Sequence, residues 1–207
     1  MVRFVENMNK WCMRLLRLVY LNLLWTIATI LGLGFIGVGP ATVAMLSILR
    51  QWIRGNEEVA IFSTFVRYFK ESFKEAAIIG GLYSLVGYVL YVDIVNSSSW
   101  YVRVVTLMGA FLYLISLAYI FPLLAHYAWK GIKLKIKMSI VIGFSYLQYT
   151  LVLFVAIVVL YALILGLYPG ILTFAGASII GYLVMWMTHQ VFSKIEREVL
   201  VKEEDMA

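Results

Sequence analysis

The side chains best suited to chemistry are two histidines, His126 and His189, one acidic residue beside an apolar run, Asp93, and four serines inside apolar stretches, Ser84, Ser116, Ser145 and Ser178. Both histidines fall at corresponding ends of their apolar stretches and are placed to approach one another. Two histidines with neither a cysteine nor a nearby carboxylate do not complete a zinc ligand set. The single cysteine, Cys12, forms no CxxC pair and no disulfide within one chain. A Ser/His/Asp triad cannot be assembled, because the only aspartates are Asp93 and Asp205 in the tail. Neither an HExxH helix nor a GxSxG elbow is present. The histidines read as interfacial polar caps and Asp93 as a boundary residue, which predicts no catalytic residue, no metal and no cofactor.

The elements that would carry these groups follow from composition. Of 207 residues, 63% are apolar and 14% charged, with a mean hydropathy of +0.93. Ordinary soluble domains hold about 45–50% apolar and about 25% charged residues, and a chain of this length leaves too much surface in water to hide the excess. A soluble globule is excluded, as is a disordered chain. A polytopic all-α transmembrane bundle remains. The net charge of +6 does not point to nucleic acid, because the basic residues fall between apolar stretches rather than along one soluble face.

About 18 uncharged apolar residues suffice for a spanning helix. Val19 to Leu49 is uncharged, and Gly37-Val38-Gly39-Pro40 interrupts it with turn chemistry. This predicts a first span over 18–37, a turn at 37–40 and a short second helix from Ala41 over 41–53. The second helix is then an incomplete crossing or one arm of a re-entrant hairpin, since irregular backbone at membrane depth needs protein, a wet cavity or the interface around it. Further spans are expected over 76–95 and 104–125. The 56 uncharged residues from Met138 to Ser193 divide at Tyr168-Pro169-Gly170 into spans over 139–167 and 170–190. Six apolar helices result, in one integral membrane domain.

With six crossings, sixteen of the seventeen lysines and arginines gather on one side, leaving only Arg103 opposite. The positive-inside rule makes that side the cytoplasm and places both termini there. Two amphipathic helices lie on it. Over 57–75, Phe62, Phe65, Phe69 and Phe73 recur at helical spacing, with Arg67, Lys70 and Lys74 on the other face. Such a helix is expected to lie on the anionic lipid of the inner leaflet. Phe4, Met8, Trp11 and Leu15 repeat the pattern near the N-terminus.

Within the spans the polar amides Asn22 and Gln148 read first as helix-packing groups. Gly80 with Ser84, and Ala177 with Gly181, are small-xxx-small pairs that permit close backbone approach. Trp25, Trp52, Trp100, Trp129 and Trp186 stand mostly near helix ends, as in an interfacial belt. Glu75-Ala76-Ala77 with Gly81 resembles the opening of the EAA coupling motif of bacterial ABC permeases, but the Ile-x-Leu-Pro ending is missing. No GxxxxGK[ST] loop is present.

Gly37-Val38-Gly39-Pro40-Ala41-Thr42, Leu49-Arg50-Gln51-Trp52-Ile53-Arg54-Gly55, Phe69-Lys70-Glu71-Ser72-Phe73-Lys74-Glu75-Ala76, Phe121-Pro122-Leu123-Leu124-Ala125 and Phe192-Ser193-Lys194-Ile195-Glu196 together resemble the YesL-like family of small bacterial integral membrane proteins. The resemblance covers nearly the whole chain. It implies a bacterial plasma-membrane protein and a domain of unknown function. Because members are often encoded beside carbohydrate ABC importers, it also implies an accessory role in sugar uptake with ABC permease subunits as partners. The family supplies no catalytic residues to carry over. The competing expectation is an autonomous transporter or channel whose pathway lies at the Gly-Pro turn, lined by Asn22 and Gln148.

Overall fold

The computed structural model describes residues 2–56, 58–127, 131–167 and 170–204. Trp129, Lys130 and the Tyr168-Pro169 turn signal lie outside the described residues. Among these residues the chain forms seven α-helices and no strand: α1 (Val2–Leu31), α2 (Phe35–Ile53), α3 (Ile61–Asn96), α4 (Trp100–His126), α5 (Ile132–Ser145), α6 (Leu147–Leu167) and α7 (Gly170–Glu204). Five of them, α1, α2, α3, α4 and α6, are long and apolar enough to cross a membrane. The sixth expected span lies within α7, whose 35 residues run on into the charged tail.

The first reversal is not at the Gly-Pro sequence. α1 ends in a Schellman arrangement in which the Gly34 N–H donates to the Thr29 carbonyl and the Leu33 N–H to that of Ile30. Leu33 (φ 59°) and Gly34 (φ 70°) are left-handed, so the chain turns at Gly32-Leu33-Gly34. Gly37, Gly39, Pro40 and Ala41 are all buried inside α2. Pro40 stands early enough in that helix that its missing N–H frees only the carbonyl of Ile36. The expected turn at 37–40 is therefore corrected, and the second helix has 19 residues rather than 13.

The glycines serve close packing instead. A Cβ on Gly39 would lie 2.1 Å from the Ala76 carbonyl oxygen of α3, and one on Gly37 would lie 2.8 Å from the Thr29 carbonyl oxygen of α1. α2 is the most deeply buried of the five candidate spans and is wedged among α1, α3, α4 and α7. Its Ala41, Val43, Ala44, Leu46, Ile48 and Leu49 form the centre of the main core with Ile79, Ile120 and Met185. Gly80 faces Gly39, and Gly181 meets the side chains of Met45, Leu46 and Leu49, so each expected small-residue pair contributes a glycine to helix packing.

Two further boundaries differ from expectation. The expected amphipathic segment is helical from Ile61 and runs without a break into the expected span 76–95 as one rod, α3, with 36 residues. No glycine or proline lies between Ile61 and Ile79 to break it. The stretch 139–167 is divided at Tyr146, where Thr150 Oγ1 bonds the Gly143 carbonyl at 3.1 Å and the Tyr119 hydroxyl at 3.0 Å. Trp25, expected in an interfacial belt, is half-buried, and its Nε1–H donates to Thr42 Oγ1 at 3.1 Å, which ties α1 to α2.

Candidate functional site: a charged cavity at the basic end

The helices converge so that the start of α3, the end of α4 and the start of α5 enclose an open cavity of about 750 Å³. Val43 and Ser47 of α2 form one wall, and Tyr68, Glu71, Ser72, Lys74 and Glu75 of α3 another. Leu124 to Tyr127 and Gly131, Ile132 and Lys135 close the remaining side. Lys135 is 3% exposed, and its Nζ donates to Glu75 Oε2 at 2.7 Å. A buried ammonium persists only when paired, and Glu75, about a third exposed, supplies the partner while remaining wetted by the cavity.

Each of these positions has a local cause. Lys135, Ser139, Ile142 and Gly143 form the buried face of α5 at helical spacing, which turns Lys135 inward while Lys133 and Lys137 of the same run do not share that face. Ser139 Oγ lies 2.7 Å from Ser116 Oγ of α4, and Ser116 in turn bonds the Tyr83 hydroxyl of α3. This chain of hydroxyls fixes α3, α4 and α5 in register behind the ion pair.

At the cavity edge Arg50 Nη1 donates to the Ala125 carbonyl at 3.2 Å. That places a cation at the C-terminus of α4, where the helix dipole favours it. Tyr127 donates to Glu196 Oε1 of α7 at 3.3 Å. Burial, and then the neighbouring carboxylate, push its phenol up to about 12, so it stays a donor at physiological pH. His126 lies 3.9 Å from the same carboxylate and edge-on to Phe192 at 4.9 Å.

The structure separates the residues the sequence singled out. Phe65 is buried, and Phe69 and Phe73 are half-buried. With exposed Phe62 they line a groove with Leu24, Ile27 and Leu31 of α1. The phenylalanine face, expected at the headgroup boundary, is thus directed in part at α1. Arg67, Lys70 and Lys74 remain exposed, with Lys74 on the cavity wall. Asn22 is buried, and its Oδ1 accepts the Ser178 N–H of α7 at 3.3 Å, a packing contact. Gln148 is exposed at the start of α6. Gly37, Gly39 and Pro40 are buried in α2, and neither the cavity nor the groove described above is lined by them, by Asn22 or by Gln148.

The Glu75–Lys135 pair escaped the sequence because sixty residues separate its members. The one local signal was the helical period through Lys135, Ser139 and Ile142. Glu75-Ala76-Ala77 lies mid-helix, with Ala76 packed on Gly39, and so is not a coupling loop. Among the described residues no cluster of three metal-ligating side chains occurs.

The profile described as "Protein of unknown function, DUF624" matches residues 18–94. The chain is 35% identical over 196 residues to the uncharacterized protein YteU of Bacillus subtilis (strain 168), covering 92% of this chain and 87% of that protein. It is 29% identical to the uncharacterized protein YesL of the same organism, over 95% of both chains. It is 30% identical to the uncharacterized protein YesV, over 90% of this chain and 92% of the relative. No solved structure matches.

Proposed function

The chain belongs to the YesL-like DUF624 family of helical membrane proteins, and from that premise we propose that it is a non-enzymatic accessory component of carbohydrate ABC import. In this reading it is a multi-pass protein of the bacterial plasma membrane. Its termini, the first half of α3 and the cavity face the cytoplasm, because sixteen of seventeen basic residues gather at that end.

The observation that carries the reading is the cavity, with Lys74 on its wall, and the exposed basic rim that α3 presents beside it. Arg67, Lys70 and Lys74 on α3 offer cations to a partner or to anionic lipid. The Lys135–Glu75 pair behind them is committed internally, as in a docking socket. A solute pathway at the Gly-Pro sequence is disfavoured by the packing of Gly39 and Pro40.

Gentle purification from the native membrane tests the proposal. Permease or ATPase subunits of a carbohydrate importer are expected to be enriched with the protein. Reversing the rim with Arg67→Glu, Lys70→Glu and Lys74→Glu together is expected to lower their recovery at least about tenfold. Recovery as a lone species, or recovery indifferent to the reversal, overturns it.

A further inference from the structure

Helices α1 and α2 each have the length and composition of a membrane span, yet their register against α3 gives them another place. Gln51 Nε2 bonds the Tyr68 hydroxyl at 2.9 Å, and Gly39 backs onto Ala76 and Gly80. α2 therefore runs antiparallel along the first half of α3, and the Gly32-Leu33-Gly34 turn comes level with the residues just past Gly80. α3 continues from there to Asn96, about 18 Å further at 1.5 Å per residue. α4 accompanies it, with Tyr113 against Gly87 and Leu90 against Gly109.

The charges of α3 locate the bilayer on this scale. Glu75 and Asp93 bound the uncharged stretch Ala76–Val92, about 26 Å long and close to the roughly 30 Å of a hydrocarbon core. Ser84 is its midpoint, and the α1–α2 turn stands at that level. The uncharged part of α1, Leu18 to Leu31, is only about 21 Å long, shorter than the hydrocarbon core and than the uncharged stretch of α3.

The turn itself is built for hydrocarbon. From Ile30 to Ala41 no side chain carries a polar atom. The α3–α4 connection, by contrast, holds Asn96, three serines and Arg103, whose Nη2 donates to the Ser97 carbonyl. Leu33 occupies a left-handed position that ordinarily takes glycine or asparagine. It is 81% exposed, beside Leu31 at 79%. A water-facing turn gains nothing from leucine there, whereas an acyl-chain environment does. On α3 the residues at this level, Leu82, Leu85 and Val86, are exposed as well.

We infer that α1 and α2 form a re-entrant hairpin that enters and leaves by the basic face, with Leu31, Leu33 and Ile36 set against lipid acyl chains near the bilayer midplane. The turn's N–H groups at Gly32, Leu33 and Gly34 are bonded within α1, which lowers the cost of setting irregular backbone at that depth. The termini keep the side that the charges assign them, since a hairpin of this kind adds no crossing.

Nitroxide labels in full-length protein reconstituted in phospholipid vesicles test the assignment. Leu33→Cys and Ile36→Cys are made in a Cys12→Ser background, with Leu85→Cys and Ser98→Cys as depth references. Labels at 33 and 36 are expected to collide several-fold more with oxygen than with a water-soluble nickel chelate and to match the depth of the label at 85. A label at 33 that matches the nickel access of position 98 overturns the inference in favour of a full crossing. Exclusion of both reagents at 33 and 36 overturns it in favour of a protein partner over the turn.

Discussion

Gly39→Leu is expected to lower the stability of the protein in detergent by at least about 3 kcal/mol. Even the Cβ at this position meets the Ala76 carbonyl oxygen at 2.1 Å and its carbon at 2.9 Å. These are backbone atoms of α3 and cannot rotate aside as a side chain does. α2 must separate from α3, and because α2 is the common neighbour of α1, α3, α4 and α7, the loss spreads through the main core. Gly81→Ala, one residue beyond the contact and with nothing within 4 Å of its added Cβ, is expected to be neutral or to gain up to about 1 kcal/mol from helix propensity. Thermal denaturation of the two variants side by side checks both. A Gly39→Leu protein that melts like the parent would show that the two helices do not touch at this point.

The second large effect falls on the ion pair. Glu75→Gln leaves the Lys135 ammonium buried without its carboxylate and is expected to cost about 2 kcal/mol. Lys135→Met is expected to cost less, because Glu75 is about a third exposed and can turn to the water of the cavity. The double variant Glu75→Gln with Lys135→Met is expected to recover to within about 1 kcal/mol of the parent, as replacing both members of a buried pair commonly does. Melting temperatures of the three variants give the coupling directly. Equal and additive losses from the two single changes would mean that the charges do not interact.

The class of the fold, the α3–α4 hairpin and the packing role of Asn22 were legible from uncharged runs, the Asp93-to-Ser99 polar patch and the isolation of one amide among apolar neighbours. The first turn was not, because two glycine-rich sequences, Gly32-Leu33-Gly34 and Gly37-Val38-Gly39-Pro40, compete within nine residues. Proline favours the second by local chemistry, while helix contact decides for the first: Gly37 and Gly39 are needed as flat surfaces against α1 and α3. The break at Tyr146 carries neither glycine nor proline and depends on Thr150 reaching Gly143 and Tyr119, a tertiary contact. The continuity of α3 was hidden for the opposite reason. Its amphipathic and apolar halves differ in surroundings, not in backbone, so a change of pattern at residue 75 looks like a boundary without being one. The cavity could not be read at all, since its charged pair exists only once α5 has packed on α4 and carried Lys135 to Glu75.

The proposed function requires the basic face of α3 at Lys74, on the cavity wall, to meet an importer inside the cell. The most direct measurement places a photo-reactive amino acid at Lys74, on the cavity wall, and irradiates living cells that express the importer. The account predicts a covalent adduct containing a permease or ATPase subunit of a carbohydrate importer, absent when the same probe stands at Ser98 between α3 and α4. Adducts at position 74 with lipid alone, or with no importer subunit among them, would contradict it.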